Sequence, residues 1–536
     1  MEPECYPSSI VPHTSQLFLD YTESTEPLTP FFSIVPTSKR WISEGRKLSA
    51  EHRRRLADLL AVQNVEFSGG PAATANIERL RAGASAVVTG QQVALFGGPL
   101  YTLLKAATAI ARAREATEAG FDTVPVFWLA TEDHDFAEIA HVELPTRDGL
   151  KTVTIGPPPE VPMSVGGIRL GTEIETALAE IEVLLGEGEA TAVLREVYRP
   201  GTTLAGAFGS LIARVFSRWG LIVIDAAAPG FHALGAEVFG QAICNADDLH
   251  AALVQRDAEL VNRGYHAQVM VGDQSSVLFL IDEKTGARLP LRRARAEGGM
   301  RWKAGGRHYS NEELLEILQV SPERCSPNAL LRPVFQDAIL PTSAYVAGPA
   351  EIAYFAQSEV LYRAMLGRAT AVLPRFSATL VESKIATVMA RHELRLPDVL
   401  TTADALAQRL GARAMPVEGK RKLAAAGNSL DTELTAVTEW MAQMDAGLGR
   451  AATTAASKMR YQMNRLRRLA SRYQLEKETS LARHAQAITQ ALYPEGHLQE
   501  RAVAGIAFLA SQGPQLLDTL VAAASDSCPG HKMLPL

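Results

Sequence analysis

A chain of 536 residues with 53 Lys and Arg against 59 Asp and Glu, net charge −6, is too long for one ordinary core and too acidic for broad nucleic-acid affinity. Its 47% hydrophobic and 21% charged residues are those of a soluble globular protein, and no run approaches the ~20 apolar residues that a membrane span needs. Two or three structural units are expected, working in the cytoplasm with no membrane and no nucleic-acid partner. The start, MEPECYPSSIVPH, is acidic and broken by proline, unlike a signal peptide. Cys5, Cys244, Cys325 and Cys528 are far apart, with no C-x-x-C pair and no metal spacing, which predicts reduced thiols.

Prolines at positions 3, 7, 12, 27, 30 and 36 make residues 1–40 an extended arm, with one short helix at 15–21. Residues 41–63 and 71–80 read as helices. The stretch 86–141 follows, and the chain is organised around it. Ala86-Val-Val88 is a short apolar strand that stops at Thr89-Gly90. Gly97-Gly98-Pro99 is a turn, with Pro99 placed to open a helix over 100–119. Val124–Ala130 is a continuous apolar run, as in a strand buried on both faces. This βαβ unit leaves polar residues at the carboxyl ends of both strands, the edge where open α/β sheets bind ligands. The Gly97-Gly98 turn before a helix N-terminus favours an anion, with Lys105 able to add charge; a tight connection alone also explains it.

Glu132, Asp133, His134 and Asp135 stand directly after the buried strand. Four adjacent ionisable groups there point to a polar substrate site, in which a His beside carboxylates can act as base or orient an amine. With His141 they could instead ligate a metal, or simply form a solvated loop capping a helix.

Further along, Arg147-Asp-Gly149 between apolar runs predicts a hairpin. Residues 173–196, 202–218 and 231–263 read as helices, and Gly220–Asp225 as another strand, with Asp225 either a site carboxylate or a helix cap. The alternation over 264–293 predicts a small antiparallel insertion. Ser310 with Glu313 is a capping box for a helix at 310–319. Pro333 limits helix in the middle of 327–340. Arg332 suits a carboxylate or phosphate; Tyr345–Glu351 repeats strand, Gly-Pro, helix, and Glu351 could complement the dipole, hold an ammonium or pair with Arg332. The last core strand falls near 371–374.

Leu430, Leu434, Val437, Met441, Met444 and Leu448, then Met459, Met463, Leu466, Ala470 and Tyr473, recur at spacings of four and three. They predict two helices of a coiled-coil hairpin joined within 445–449, whose exposed faces could pair with a second subunit. Lys458, Arg460, Arg465, Arg467, Arg468 and Arg472 could bind nucleic acid or acidic lipid, but a solvated face of a long helix is the favoured reading. A helix near 514–525 follows. The expected domains are a core over 1–375 with insertions near 142–200 and 264–325, a helical region over 376–492 with its hairpin at about 420–490, and a C-terminal segment, 493–536, packing back on the core.

TGQQVALFGGPLYTLLK, followed by PVFWLATEDHDFAEIAHV, resembles the bacillithiol biosynthesis cysteine-adding enzyme family, BshC. So do the stretch 326–357, GLIVIDAAAP near residue 224 and YPEGHLQER near residue 497, and the resemblance spans nearly the whole chain. It implies a cysteine ligase that joins cysteine to the glucosamine amine of glucosaminyl malate in the last step of bacillithiol synthesis. It also implies a Rossmann-like, doubly wound parallel-sheet core of nucleotidylyltransferase type, with inserted connecting segments, and a helical coiled-coil domain that makes a homodimer. The carboxyl would be activated by ATP or another nucleotide, with Mg²⁺ and without a tightly bound metal. Carried onto this chain, Glu132, Asp133, His134 and Asp135 are the catalytic candidates. Gly90, Gln91, Gly97, Gly98, Pro99, Tyr101, Thr102 and Lys105 would face the nucleotide or an anion. Asn328, Arg332, Gln336, Gly348, Glu351 and Tyr354 would hold substrate. The class I synthetase signature His-x-Gly-His is absent, since that position reads Gly97-Gly-Pro-Leu-Tyr-Thr102, and no Lys-Met-Ser-Lys-Ser loop follows. The alternatives are another nucleotidylyltransferase-like ligase and a non-catalytic coiled-coil scaffold.

Overall fold

The computed structural model describes residues 2–24, 28–296, 299–526 and 528–536. By internal contacts the chain forms two units, one of 4–378 with 500–532, the other of 379–499 with both extreme termini.

The larger unit is built on five parallel strands: β1 (Ser85–Gln92), β2 (Thr123–Ala130), β3 (Ile222–Ile224), β4 (Thr342–Ala347) and β5 (Ala371–Pro374). Their order is β5-β4-β1-β2-β3, so the winding reverses between β1 and β4. This is a Rossmann-like, doubly wound core. Alternation along the strands buries both faces. Ala86, Val88, Val126 and Trp128 enter one hydrophobic cluster. Val87, Ala344, Val346 and Leu373 enter another, with Trp41 and the Ala109, Ala113 and Ala116 stripe of helix α1 (Tyr101–Glu118).

Several boundaries differ from expectation. β1 does not stop at Thr89-Gly90. Gly90, Gln91 and Gln92 stay in register with Trp128, Leu129 and Ala130 of β2, so polar residues extend the strand to the sheet's edge. The helix expected over 41–63 is a 3₁₀ turn at Lys39–Ile42 and then a helix at Ala50–Glu66, capped by the Ser49 hydroxyl. Residues 173–196 break at Gly186, whose φ is +80°, into Glu173–Leu185 and Glu189–Val197. The 231–263 region is two helices, α2 (Pro229–Cys244) and α3 (Ala246–Asn262). Pro333 lies in the first turn of α4 (Arg332–Ile339), where its missing N–H has no intrahelical partner to lose, so it begins a helix instead of limiting one. Pro99 precedes α1, whose N-cap is Leu100.

The hairpin at His141–Pro145 and Leu150–Thr154 and the capping box at Ser310 and Glu313 are as expected. The insertion is antiparallel: Leu278–Ile281 pairs with both Arg288–Pro290 and Cys325–Pro327. α5 (Pro349–Leu366) follows β4 directly. One expectation is overturned: Cys5 and Cys528 form a disulfide, while Cys244 and Cys325 are free. A separation of 523 residues hides what the fold brings together.

In the smaller unit, α6 (Val417–Met444) and α7 (Ala446–Lys477) meet at Asp445, whose carboxylate caps α7 through the Leu448 N–H at 2.9 Å. They run antiparallel: Gly449 lies against Ala442, Arg460 bonds to Asp431, and Arg467 crosses Gly427, where a Cβ would collide with its guanidinium. The buried residues are small ones, Gly427, Gly449, Ala452, Ala456 and Ser471, with Met463. Val437, Met444, Leu448, Met459, Leu466 and Tyr473 of the expected seam stay exposed, with Trp440 and Leu469. Close helix approach through small residues has turned most of the seam outward.

Candidate active site

The carboxyl ends of β1, β2 and β4 open into a cavity of about 720 Å³ at the point where the winding reverses. β1 contributes Gly90, Gln91 and Gln92. The loop after β2 contributes Glu132, Asp133 and His134, and the start of α5 contributes Gly348 and Glu351.

Two acidic groups are joined by an amide. Gln92 Nε2 donates to Asp133 Oδ2 at 2.7 Å and to Glu138 Oε2 at 3.0 Å. Glu132 turns the other way, with Oε1 3.2 Å from His232 Nε2 on α2. His232 is buried between Phe239 and Phe335. Burial opposes its positive charge, but the Glu132 carboxylate carries its pKa above the ordinary value.

Lys105 donates to the Gly90 carbonyl at 2.7 Å and pairs with Glu351 at 2.5 Å. Glu351 also accepts from Tyr345 Oη and the Gly348 N–H, both at 2.7 Å. Burial pushes the Glu351 carboxyl up; Lys105 and these donors more than reverse that and hold it below the usual range. Glu351 therefore caps α5 itself.

Arg332 differs from Lys105 in its partners. Its Nη1 donates to Gln336 Oε1 at 3.1 Å and its Nη2 to Tyr354 Oη at 2.9 Å, with the Tyr345 ring 5.4 Å away. Among the described residues no carboxylate pairs with it. A guanidinium has five N–H donors, so it retains capacity for an anion. Burial raises the Tyr354 phenol to about 12, leaving it protonated. Arg375, also at the cavity, is neutralised by buried Glu500.

Sequence similarity now decides the lineage. The family model for the BshC N-terminal Rossmann-like domain of bacillithiol biosynthesis matches residues 1–376. The model for its C-terminal coiled-coil domain matches 378–536. The chain belongs to the BshC family. A Koribacter versatilis protein named "Putative cysteine ligase BshC" is 42% identical over the full length of both chains. Proteins of the same name from Solibacter usitatus and Salinibacter ruber are 33% and 31% identical, covering 99% and 97% of this chain and 99% and 96% of their own. Among solved structures, Mycobacterium tuberculosis methionyl-tRNA synthetase with methionyl-adenylate aligns at TM-score 0.24 and 9% identity, over 83% of this chain and 92% of that one. That likeness is too slight to carry a reading.

In this BshC chain the cavity gathers Gly90, Gln91, Tyr101, Lys105, Glu132, Asp133, His134, Asn328, Arg332, Gly348, Glu351 and Tyr354. Asn328 also braces α4, its Oδ1 accepting the Leu330 and Leu331 N–H groups. Gly97, Gly98, Pro99, Thr102, Asp135 and Gln336 do not line it. Phe96, Gly97 and Gly98 all have positive φ, which explains the two glycines, and this turn is closed by backbone. The Leu100 N–H donates to the Val503 carbonyl at 2.8 Å, and the Gly505 N–H donates to the Gly98 carbonyl at 3.0 Å. Asp135 caps the short helix Phe136–Ile139, and Gln336 positions Arg332.

Asp225 is not a helix cap. It accepts from Thr131 Oγ1 and the Ala227 N–H. His141 Nδ1 lies 3.0 Å from the Ala137 carbonyl. Among the described residues no group of three or more His, Cys, Asp or Glu is arranged to hold a metal, and no helix is long and apolar enough to cross a membrane. Sequence reasoning missed Gln92, Glu138, Arg288, Arg375 and Arg501, all at the cavity.

Proposed function

We propose that this protein is a cytoplasmic ligase that forms the amide between the cysteine carboxyl and the glucosamine amine of glucosaminyl malate, completing bacillithiol. The observation that carries the reading is Arg332, a largely buried guanidinium with no carboxylate partner among the described residues, at a cavity that Asp133 and Glu138 also line. The substrates match these charges: malyl carboxylates for the arginine, an amine for the acids. Asp133 and Glu138 would hold the ammonium and accept the proton it loses before attack. Arg332 would fix the malyl end, so that the amine meets the acyl carbon in one orientation.

Amide formation from a free carboxylate needs activation, and ATP or a related nucleotide, with Mg²⁺, is the co-substrate of this reading. The cavity is large enough for several ligand fragments, and Arg288, Arg292, Arg332 and Arg501 are its cations without a carboxylate partner among the described residues. Phosphates would meet these side chains, because the glycine turn spends its N–H groups on backbone carbonyls. The exposed apolar face of α6 and α7 supports a homodimer.

The test mixes purified protein with cysteine, glucosaminyl malate, ATP and Mg²⁺ and follows products by mass spectrometry. Bacillithiol with equimolar AMP is expected for acyl-adenylate activation, and ADP for acyl-phosphate. Equal yield without nucleotide would refute nucleotide activation, and no product with any donor would refute the ligase itself.

A further inference from the structure

The inserted β-structure places one arginine directly on the candidate catalytic histidine. Arg288 lies on the strand Arg288–Pro290 and is buried. Each of its three nitrogens has a partner. Nε donates to Ser326 Oγ at 3.1 Å, Nη2 to the Pro327 carbonyl at 2.8 Å, and Nη1 faces His134 Nδ1 at 3.2 Å. The guanidinium lies 3.7 Å over the Phe279 ring, which fixes its plane. Among the described residues no carboxylate pairs with it.

The chemistry of this contact has one solution. A guanidinium in a protein stays protonated and only donates. His134 Nδ1 must therefore accept, and an accepting Nδ1 carries no hydrogen. In the neutral imidazole the hydrogen then sits on Nε2. Asp133 offers the competing arrangement, but its Oδ1 is farther from Nδ1, at 3.6 Å, and already accepts the His134 backbone N–H at 2.7 Å. Its Oδ2 is taken by Gln92. The His134 ring is half exposed at the cavity wall, with no hydrogen-bond partner at Nε2 among the described residues.

We propose that Arg288 is a positioning residue that holds His134 as the Nε2–H tautomer, making His134 a hydrogen-bond donor to an anionic oxygen of the reacting group and not the base. The donor role rests on the ligase reading above; the tautomer does not. A base at this position would need a free lone pair facing the substrate, and the one lone pair of this tautomer points at Arg288. Proton removal from the amine falls to the carboxylates. Charge developing on an oxygen during acyl transfer would be met by Nε2–H.

The test uses full-length protein with ¹⁵N-labelled histidine at pH 7.5, without substrates. Long-range ¹H–¹⁵N spectra report which ring nitrogen carries the proton, and His134→Gln identifies the signal. The expected wild-type pattern is protonated Nε2 with bare Nδ1. A proton on Nδ1 overturns the proposal, and this reading needs neither turnover nor a folded Arg288 variant. Arg288→Gln, if folded, is expected to give averaged tautomers; an unchanged pattern also overturns it. In the product assay His134→Gln keeps a donor near Nε2 and is expected to retain about 10-fold more kcat than His134→Ala, which loses on the order of 100-fold. Equal losses would return His134 to the role of base. An inactive wild type with the expected tautomer would overturn the ligase reading and the donor role that rests on it, and leave the Arg288 assignment standing.

Discussion

The Lys105 ammonium lies 2.5 Å from a Glu351 carboxylate oxygen, tying α1 to the start of α5 across the point where the sheet's winding reverses. Both side chains are largely buried, so removing one partner strands the other. Lys105→Met is expected to lower stability by about 3–5 kcal/mol in urea unfolding. The double variant Lys105→Met, Glu351→Gln should recover most of that loss. A double variant as unstable as the single one would show that packing of the lysine stem, and not the stranded charge, dominates.

Arg332 predicts a substrate-specific defect. Arg332→Lys keeps a charge but loses the planar fork. It should lower kcat/KM for glucosaminyl malate by on the order of 100-fold, since a buried charge contact carries roughly 2–5 kcal/mol. Steady-state kinetics with each substrate varied in turn should show the KM for cysteine nearly unchanged. Equal effects on both KM values would place Arg332 outside the malyl site.

Glu500 predicts acid sensitivity. Burial alone would raise its carboxyl, but Arg375, His531 and the Ala378 N–H bring it from 4.5 down to about 2. A carboxylate depressed on folding stabilises the protein above its unfolded pKa, and that contribution is lost as pH falls towards the folded value. Melting temperature should therefore drop steeply between about pH 5 and pH 2, and Glu500→Gln should flatten that slope while lowering stability at neutral pH. Parallel curves would discount the pair.

The exposed face of α6 and α7 predicts a mass near twice the 57.8 kDa of one chain in sedimentation equilibrium. Trp440→Glu with Leu466→Glu, both outward-facing, should yield the monomer without loss of helicity. A wild-type monomer would remove the homodimer from the functional reading.

The sequence made the sheet legible wherever a strand is buried on both faces, because Val87 and Val88 or Val124–Ala130 leave no other economical reading. The polar run at Glu132–His134 stood out because it follows such a strand directly. What stayed hidden was long-range. Arg288 sits in a three-residue strand, Arg288–Pro290, with no local sign that it reaches a residue 154 positions earlier. The glycine turn invites an anion in isolation, but its Gly97 and Gly98 N–H groups go to the Ala94 and Leu95 carbonyls, and Val503, some 400 residues on, takes the Leu100 N–H. The heptad pattern located two helices correctly, yet Gly427, Gly449 and Ala452 decided which faces meet, and small residues carry little weight in an apolar count.

The Cys5–Cys528 bond gives the chain the topology of a ring with two short tails. A protease that cuts once anywhere between those positions opens the ring but frees no fragment. Such a nick would be invisible as a mass loss on a non-reducing gel and would appear as two pieces only after reduction. The same closure means that alkylation of the unfolded, unreduced protein should modify Cys244 and Cys325 and no other cysteine.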